Sequence, residues 1–162
     1  MKNYKIEKRK AEQTIHILEE NKVVVIGEGP AYIYFRREDF KGELKVFCNF
    51  MKGMEHTEKS LDDPEICVNK FTCKVTKEAD FDRAFKKLEN TYDAIRHDGL
   101  SVELVPKGFS KGAGIREILG WMKIDRENTY AFGDSKNDLD MFRCVKYGIA
   151  MGNSVKEVWE TA

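Results

Sequence analysis

The feature that most constrains the fold is a change of pattern after residue 106, where helical segments begin to alternate with short apolar strands. In chain order, the pattern predicts a helix from Ser110, a strand at 129–132, a helix at 137–144 and a strand at 148–151. Such alternation is typical of a βαβ unit, in which a right-handed crossover joins two parallel strands. Two strands and about three helices cannot bury both faces of a parallel sheet. We therefore expect residues 105–162 to form part of a doubly wound α/β core.

The first hundred residues predict a different architecture, with helices and strands that pair mostly antiparallel. The predicted elements are a helix at 3–21, a strand pair at 23–26 and 31–35, a strand at 71–75, a helix containing Phe81, Phe85, Leu88 and Tyr92, and a strand at 100–105. Residues 36–68 have no clear period, and we expect a loop there with one strand at 45–50. The sequence thus predicts an α+β domain at residues 1–104.

Composition excludes several classes of partner. The 28 basic residues balance the 28 acidic residues, so no summed positive field attracts nucleic acid or an anionic membrane. No apolar run approaches the roughly 18 residues of a membrane span. Cys48, Cys67, Cys73 and Cys144 lack the spacing of a zinc or redox motif and are predicted to be buried thiols. These patterns favour a cytoplasmic protein with reduced cysteines.

Two aspartates follow the predicted strand at 129–132, where the sequence 132–138 reads FGDSKND. Ligands of open α/β sheets bind at the carboxyl ends of strands, so Asp134 is placed at a ligand-binding edge. Asp138 follows four residues later, and both carboxylates can face one point as oxygen ligands of Mg²⁺. Gly133 permits a tight exit from the strand. Alternatively, Asp134 and Asn137 cap the helix while Asp138 favours its N-terminal dipole.

A lysine at the start of the preceding helix supports the first interpretation. Residues 106–112 read PKGFSKG, which places Lys111 in the first helical turn. A cation at that position is disfavoured by the helix dipole unless an anion lies nearby, and a phosphate would supply that anion. A surface lysine that points into water is the alternative. The two motifs together are more specific than either one alone.

These motifs, followed by IAMGN at 149–153, resemble the Cof-type phosphatases of the haloacid dehalogenase superfamily. The resemblance runs from about residue 103 to residue 162, and residues 1–103 resemble more weakly the α/β cap domain of that family. It implies a Mg²⁺-dependent hydrolysis of small phosphate monoesters through an aspartyl-phosphate. It also implies a phosphorylated metabolite as substrate, with phosphosugar, nucleotide and flavin phosphate left open.

The resemblance assigns roles to individual residues. Lys111 would neutralise the nucleophile and the phosphoryl oxygens, Asp134 would bind the metal directly, and Asp138 would steady its water shell. Asn137 would help to bind phosphate, and Ser135 would support the loop together with Gly133.

The chain also departs from the family. Its nucleophile motif, D-x-D-G-T or D-x-D-G-S, does not occur in the 162 residues, nor does the Ser or Thr followed by Gly-Arg of the second motif. We expect a fragment that comprises the cap and part of the core, with weak or absent Mg²⁺ binding and no turnover of its own. The strand at 129–132 would border the missing nucleophile strand, so we expect self-association through this exposed sheet edge.

Two other functions require residues that this sequence lacks. A Gly-Asp-Ser esterase needs a histidine after Ser135, and none follows it. A calcium-binding loop that starts at Asp134 fails because Lys136 and Val145 stand where ligands are required. The remaining alternative is a non-catalytic binding or assembly module built from the cap.

Overall fold

A computed structural model describes residues 4–45, 57–97 and 100–162 of the chain. The chain forms two compact units, Met1–Lys107 and Gly108–Ala162. Within the described ranges, no helix combines the length and the apolar character that a membrane crossing needs.

The described elements of the first unit are α1 (Lys8–Glu20), β1 (Val24–Glu28), β2 (Ile33–Tyr34), β3 (Glu58–Lys59), β4 (Lys70–Lys74), α2 (Phe81–Leu88), β5 (Tyr92–Arg96) and β6 (Ser101–Pro106). The six strands form one sheet with the order β3-β2-β1-β4-β6-β5. β2 and β3 pair in parallel and every other neighbouring pair is antiparallel, which agrees with the predicted pairing. Short 3₁₀ turns lie at Arg37–Asp39 and Gly42–Leu44.

Both faces of this sheet are covered at β1. Successive side chains of a strand point to opposite faces. Val25 belongs to the core that α1 and α2 form with the sheet, whereas Ile26 packs against a second cluster of Phe35, Phe40 and Leu44. Strand alternation therefore divides the apolar residues of the first unit between two layers.

The predicted helix that contains Tyr92 was wrong at its end. The side chain of Asp80 caps α2 by accepting a hydrogen bond from the amide of Arg83, but the helix ends at Leu88 and Tyr92 begins β5. Tyr92 pairs with Pro106, and its buried hydroxyl lies 3.0 Å from that of Thr14. Sheet pairing thus overrode a helical spacing of aromatic residues. The predicted strand at 45–50 lies, apart from Lys45, outside the described residues.

The second unit has the predicted alternation. Its elements are α3 (Lys111–Met122), a 3₁₀ turn (Arg126–Asn128), β7 (Tyr130–Gly133), a 3₁₀ turn (Lys136–Asp138), α4 (Leu139–Cys144), β8 (Tyr147–Ala150) and α5 (Lys156–Trp159). β7 and β8 pair in parallel, with Tyr130 opposite Tyr147 and Gly133 opposite Ala150. The predicted alternation of helices with two parallel strands is confirmed, and so is the α/β fold class.

One face of the β7–β8 pair is buried and the other is exposed. Ala131 lies in a core with Phe142, Val145 and Val158. The opposite face carries Tyr130 and Phe132, which are 63% and 61% exposed. The unit therefore leaves uncovered a sheet face of the kind that parallel sheets normally bury.

Candidate active site

The loop after β7 is organised around Asp138, which is 3% exposed. Its Oδ2 accepts hydrogen bonds from the backbone N–H groups of Asp134, at 3.0 Å, and of Ser135, at 3.2 Å. Gly133 lets this side chain approach, because a Cβ at that position would lie 2.6 Å from the Cβ of Asp138. The loop thus wraps its backbone around one buried carboxylate.

Lys111 meets the same carboxylate from α3. The side chain of Ser110 caps that helix, as predicted, by accepting a hydrogen bond from the amide of Ala113 at 3.1 Å. In the next position, the Lys111 ammonium donates to Oδ1 of Asp138. The lysine side chain is 51% exposed, so it also faces solvent. The structure therefore brings Lys111 and Asp138 together in an ion pair at the N-terminus of α3.

The electrostatics of Asp138 follow from these contacts. Burial raises the pKa of its carboxyl group, but the hydrogen bond from Lys111 and the two backbone amides favour the ionised form more strongly. The pKa of Asp138 consequently lies below its ordinary value. The carboxylate is held in its charged form beside the lysine.

Asp134 lies beside this ion pair at the carboxyl end of β7. One of its carboxylate oxygens accepts a hydrogen bond from the hydroxyl of Ser135 at 2.7 Å, and the other accepts one from the side-chain amide of Asn153 at 3.3 Å. Its backbone N–H binds Asp138, as described above. Asp134 is half-buried, and its side chain is oriented by neighbours from two loops.

Asn137 precedes Asp138 in the chain, but its side-chain oxygen accepts no hydrogen bond from the described residues. That oxygen is buried and has no partner among the described residues. An unsatisfied buried acceptor is uncommon in native proteins and invites a ligand donor. Its predicted role in phosphate binding stays a prediction.

The loop after β8 was predicted to cap the last helix at Asn153 or Ser154, and that prediction was wrong. Val155 precedes α5 and provides no side-chain cap. Asn153 donates to Asp134 instead, and the hydroxyl of Ser154 donates to the backbone oxygen of Gly133 at 3.0 Å. The sequence contained a signal for these contacts. Asn153 and Ser154 follow the second parallel strand, so they lie at the same sheet edge as Asp134, which follows the first.

Asp134 and Asp138 alone do not provide the six oxygen ligands that Mg²⁺ coordinates. Both oxygens of Asp138 accept hydrogen bonds from Lys111 and the loop backbone, and both oxygens of Asp134 accept from Ser135 and Asn153. Over the described ranges, no group of three acidic, histidine or cysteine side chains could hold a metal ion. Mg²⁺ requires near-octahedral oxygen coordination. The carboxylates suit its chemistry, but their number falls short.

A parallel strand pair with a lysine and two aspartates at its carboxyl edge defines an α/β protein, a class in which ligands bind at the carboxyl ends of the strands. The chain belongs to the haloacid dehalogenase-like hydrolase family, whose family model matches residues 1–162. The predicted membership of the haloacid dehalogenase superfamily is confirmed.

Curated relatives match different shares of the chain. The protein YkrA of Bacillus subtilis (strain 168) is 44% identical over 71 residues, which are 44% of this chain and 28% of YkrA. The phosphoglycolate phosphatase of Nitrosopumilus maritimus is 26% identical over 139 residues, which are 83% of this chain and 60% of that protein. The chain therefore spans less than two thirds of either relative.

Solved structures share the fold over nearly the whole chain. A haloacid dehalogenase-like hydrolase from Bacteroides thetaiotaomicron matches with a TM-score of 0.76 at 20% identity, covering 100% of this chain and 62% of that one. A sugar phosphatase of subclass IIB matches with a TM-score of 0.69 at 23% identity, covering 98% of this chain and 60% of that one.

Proposed function

We propose that this chain supplies the phosphate-facing lysine and the acidic residues of a magnesium-dependent phosphohydrolase that acts on small phosphate monoesters of the sugar phosphate or nucleotide class. The observation that carries the proposal is the Lys111–Asp138 ion pair at the N-terminus of α3. The ammonium is held in place yet half exposed, so it can meet an oxyanion. The phosphatases among the family's matches support the reaction class.

The residues of this chain would act by position and charge. Lys111 offsets the negative charge on the equatorial oxygens of the transferring phosphoryl group. Asp138 orients the lysine through the ion pair, and through its amide contacts it fixes the backbone of Asp134. These contacts need no movement during the reaction, which is the condition for electrostatic preorganisation.

The covalent step is proposed to use an aspartate outside these 162 residues, since no D-x-D-G-T or D-x-D-G-S sequence occurs in them. Its carboxylate oxygen would bond to phosphorus while the bond to the leaving oxygen breaks, and an acid would protonate that oxygen. Water would then attack phosphorus and release phosphate and the carboxylate. The chain alone is therefore proposed to bind Mg²⁺ weakly and to turn over no p-nitrophenyl phosphate.

Inorganic phosphate is the probe that tests the site without turnover. We expect phosphate to raise the melting temperature of the wild-type chain, because a ligand stabilises the state that it binds. The Lys111→Ala variant should lose this shift, whereas Lys156→Ala, which removes an exposed lysine of the same unit, should keep it. Equal shifts in all three proteins, or no shift in the wild type, would favour the non-catalytic binding or assembly module.

Self-association through the exposed edge of the β7–β8 sheet is proposed as a property of the second unit. Tyr130 and Phe132 form an exposed aromatic face on β7, and Tyr130 stacks on Tyr147 with ring centroids 4.8 Å apart. Light scattering should show an oligomer in the wild type and a smaller species in Phe132→Glu. Trp121→Glu, which changes an exposed residue of α3, is the control and should stay oligomeric. A monomeric wild type at micromolar concentration would refute the proposal.

A further inference from the structure

One acidic residue of the second unit lies next to the site but has no part in the proposed function. Asp140, in the first turn of α4, accepts a hydrogen bond through Oδ2 from the backbone N–H of Gly112 at 2.8 Å. Gly112 follows Lys111 directly in the first turn of α3. The start of α4 therefore holds the start of α3 through two carboxylates, with Asp138 on the lysine side chain and Asp140 on the backbone beside it.

The backbones of the two helices approach closely at this point. A Cβ on Gly112 would lie 2.6 Å from the backbone oxygen of Asp140 and 2.9 Å from its Oδ2. Gly112 is the one buried residue of α3. A side chain of any size there would push the first turn of α3 away from α4, so this contact sets the separation of the helices beside Lys111.

A second contact joins the helices one turn further on. A guanidinium N–H of Arg116 donates to Sγ of Cys144 at 2.9 Å, and the thiol of Cys144 donates to the backbone oxygen of Asp140 at 3.1 Å. Arg116 stands four residues after Gly112, and Cys144 stands four residues after Asp140. The two contacts lie on successive turns of the helices, and the Asp140–Gly112 contact is the one beside Lys111.

The carboxylate of Asp140 is incompletely satisfied. Its Oδ1 is buried and has no hydrogen-bond partner among the described residues. Burying a charged acceptor without a partner opposes folding. The contact with Gly112 is thus better explained by the geometry that it fixes than by a large gain in stability.

We infer that Asp140 is a positioning residue, which fixes the first turn of α3 through the Gly112 amide and so holds the Lys111 ammonium against Asp138. This inference rests on the proposed function, in which Lys111 meets the phosphoryl group. The half-exposed lysine side chain is not held by packing alone. Its placement therefore depends on the backbone from which it projects.

Competitive labelling with acetic anhydride measures this placement directly, because a lysine in an ion pair is acylated more slowly than a free one. With Lys156 as the internal reference, we expect Lys111 to be labelled about threefold faster in Asp140→Ala than in the wild type. Asp140→Asn keeps an acceptor oxygen for Gly112 and should label like the wild type. Asp138→Asn gives the upper limit.

The matched control is Cys144→Ala, which removes the Arg116–Cys144 contact and leaves the Asp140–Gly112 contact. Its Lys111 labelling should stay at the wild-type rate. Equal acceleration in Cys144→Ala and Asp140→Ala would overturn the inference, because general packing of the helices would then explain both. Unchanged labelling in a folded Asp140→Ala would overturn it as well. Should Asp140→Ala not fold, Gly112→Ala takes its place, with accelerated labelling expected and unchanged labelling refuting the inference.

Binding of inorganic phosphate, measured by ³¹P nuclear magnetic resonance, separates this inference from the proposed function. If the wild type binds phosphate, Asp140→Ala should bind it about fivefold more weakly, with Asp140→Asn restoring the affinity. If the wild type binds none, the proposed function fails while the labelling result still decides the role of Asp140.

Discussion

Replacement of Asp138 by alanine removes three interactions at once. The backbone amides of Asp134 and Ser135 lose their acceptor, and Lys111 loses its counter-ion. A buried amide left without an acceptor costs about 1–3 kcal/mol, and the low end applies here because these contacts are partly buried. A half-exposed ion pair contributes about 0–1 kcal/mol. The expected loss is therefore about 2–3 kcal/mol from the free energy of unfolding of the second unit.

Lys111→Ala separates the two kinds of contact. This variant removes the ion pair but leaves Asp138 bonded to both amides, so it should cost no more than about 1 kcal/mol. Native-state hydrogen exchange measures both variants residue by residue. Amides of α3 and α4 should lose protection in Asp138→Ala. Those of β4, in the first unit, are the internal control and should keep theirs.

Equal losses of unfolding free energy in the two variants would refute a structural role of the amide contacts. If Asp138→Ala costs no more than Lys111→Ala, the amide contacts do not hold the loop. The carboxylate would then serve only as a counter-ion for the lysine.

Three further predictions concern Asp138, the glycine beside it and a buried contact of the first unit. Because the folded-state pKa of Asp138 lies below 3.8, its carboxylate should stabilise the second unit fully above that pH and progressively less below it. An acid titration of Asp138→Asn should lack this pH-dependent loss of stability. Gly133→Ala should destabilise the second unit by about 1–3 kcal/mol in urea unfolding, because the new Cβ meets that of Asp138. Tyr92→Phe should cost the first unit about 1 kcal/mol, read from β6 amide exchange, through the lost contact with Thr14.

The sequence predicted the second unit well because its signals are local. A capping serine, an apolar period of 3.6 and two short apolar strands each identify an element without reference to the rest of the chain. The placement of Asp134 then followed from the rule that ligands bind at strand ends. Lys111 was found because a cation at a helix N-terminus is unusual.

The remainder depends on contacts between distant residues. Tyr92 fits a helical spacing as well as a strand, and only its pairing with Pro106 decides between them. β3 has two residues and no period, so it was not predicted. An aspartate in a first helical turn, such as Asp140, is already explained by its favourable interaction with the helix dipole. Its hydrogen bond to Gly112 joins residues 28 positions apart, so no local sequence pattern predicts it.

The structure also changes the argument for phosphate. Lys111 needs an anion at the N-terminus of α3, and Asp138 already supplies one. A bound phosphate must therefore share the lysine with a carboxylate that repels it. Asp138→Asn keeps an acceptor for the loop amides and removes that repulsion, so it should bind inorganic phosphate about two- to fivefold more tightly than the wild type in ³¹P titrations. Weaker binding by this variant would show that the position of the lysine, which the ion pair sets, matters more for phosphate than the charge that the ion pair neutralises.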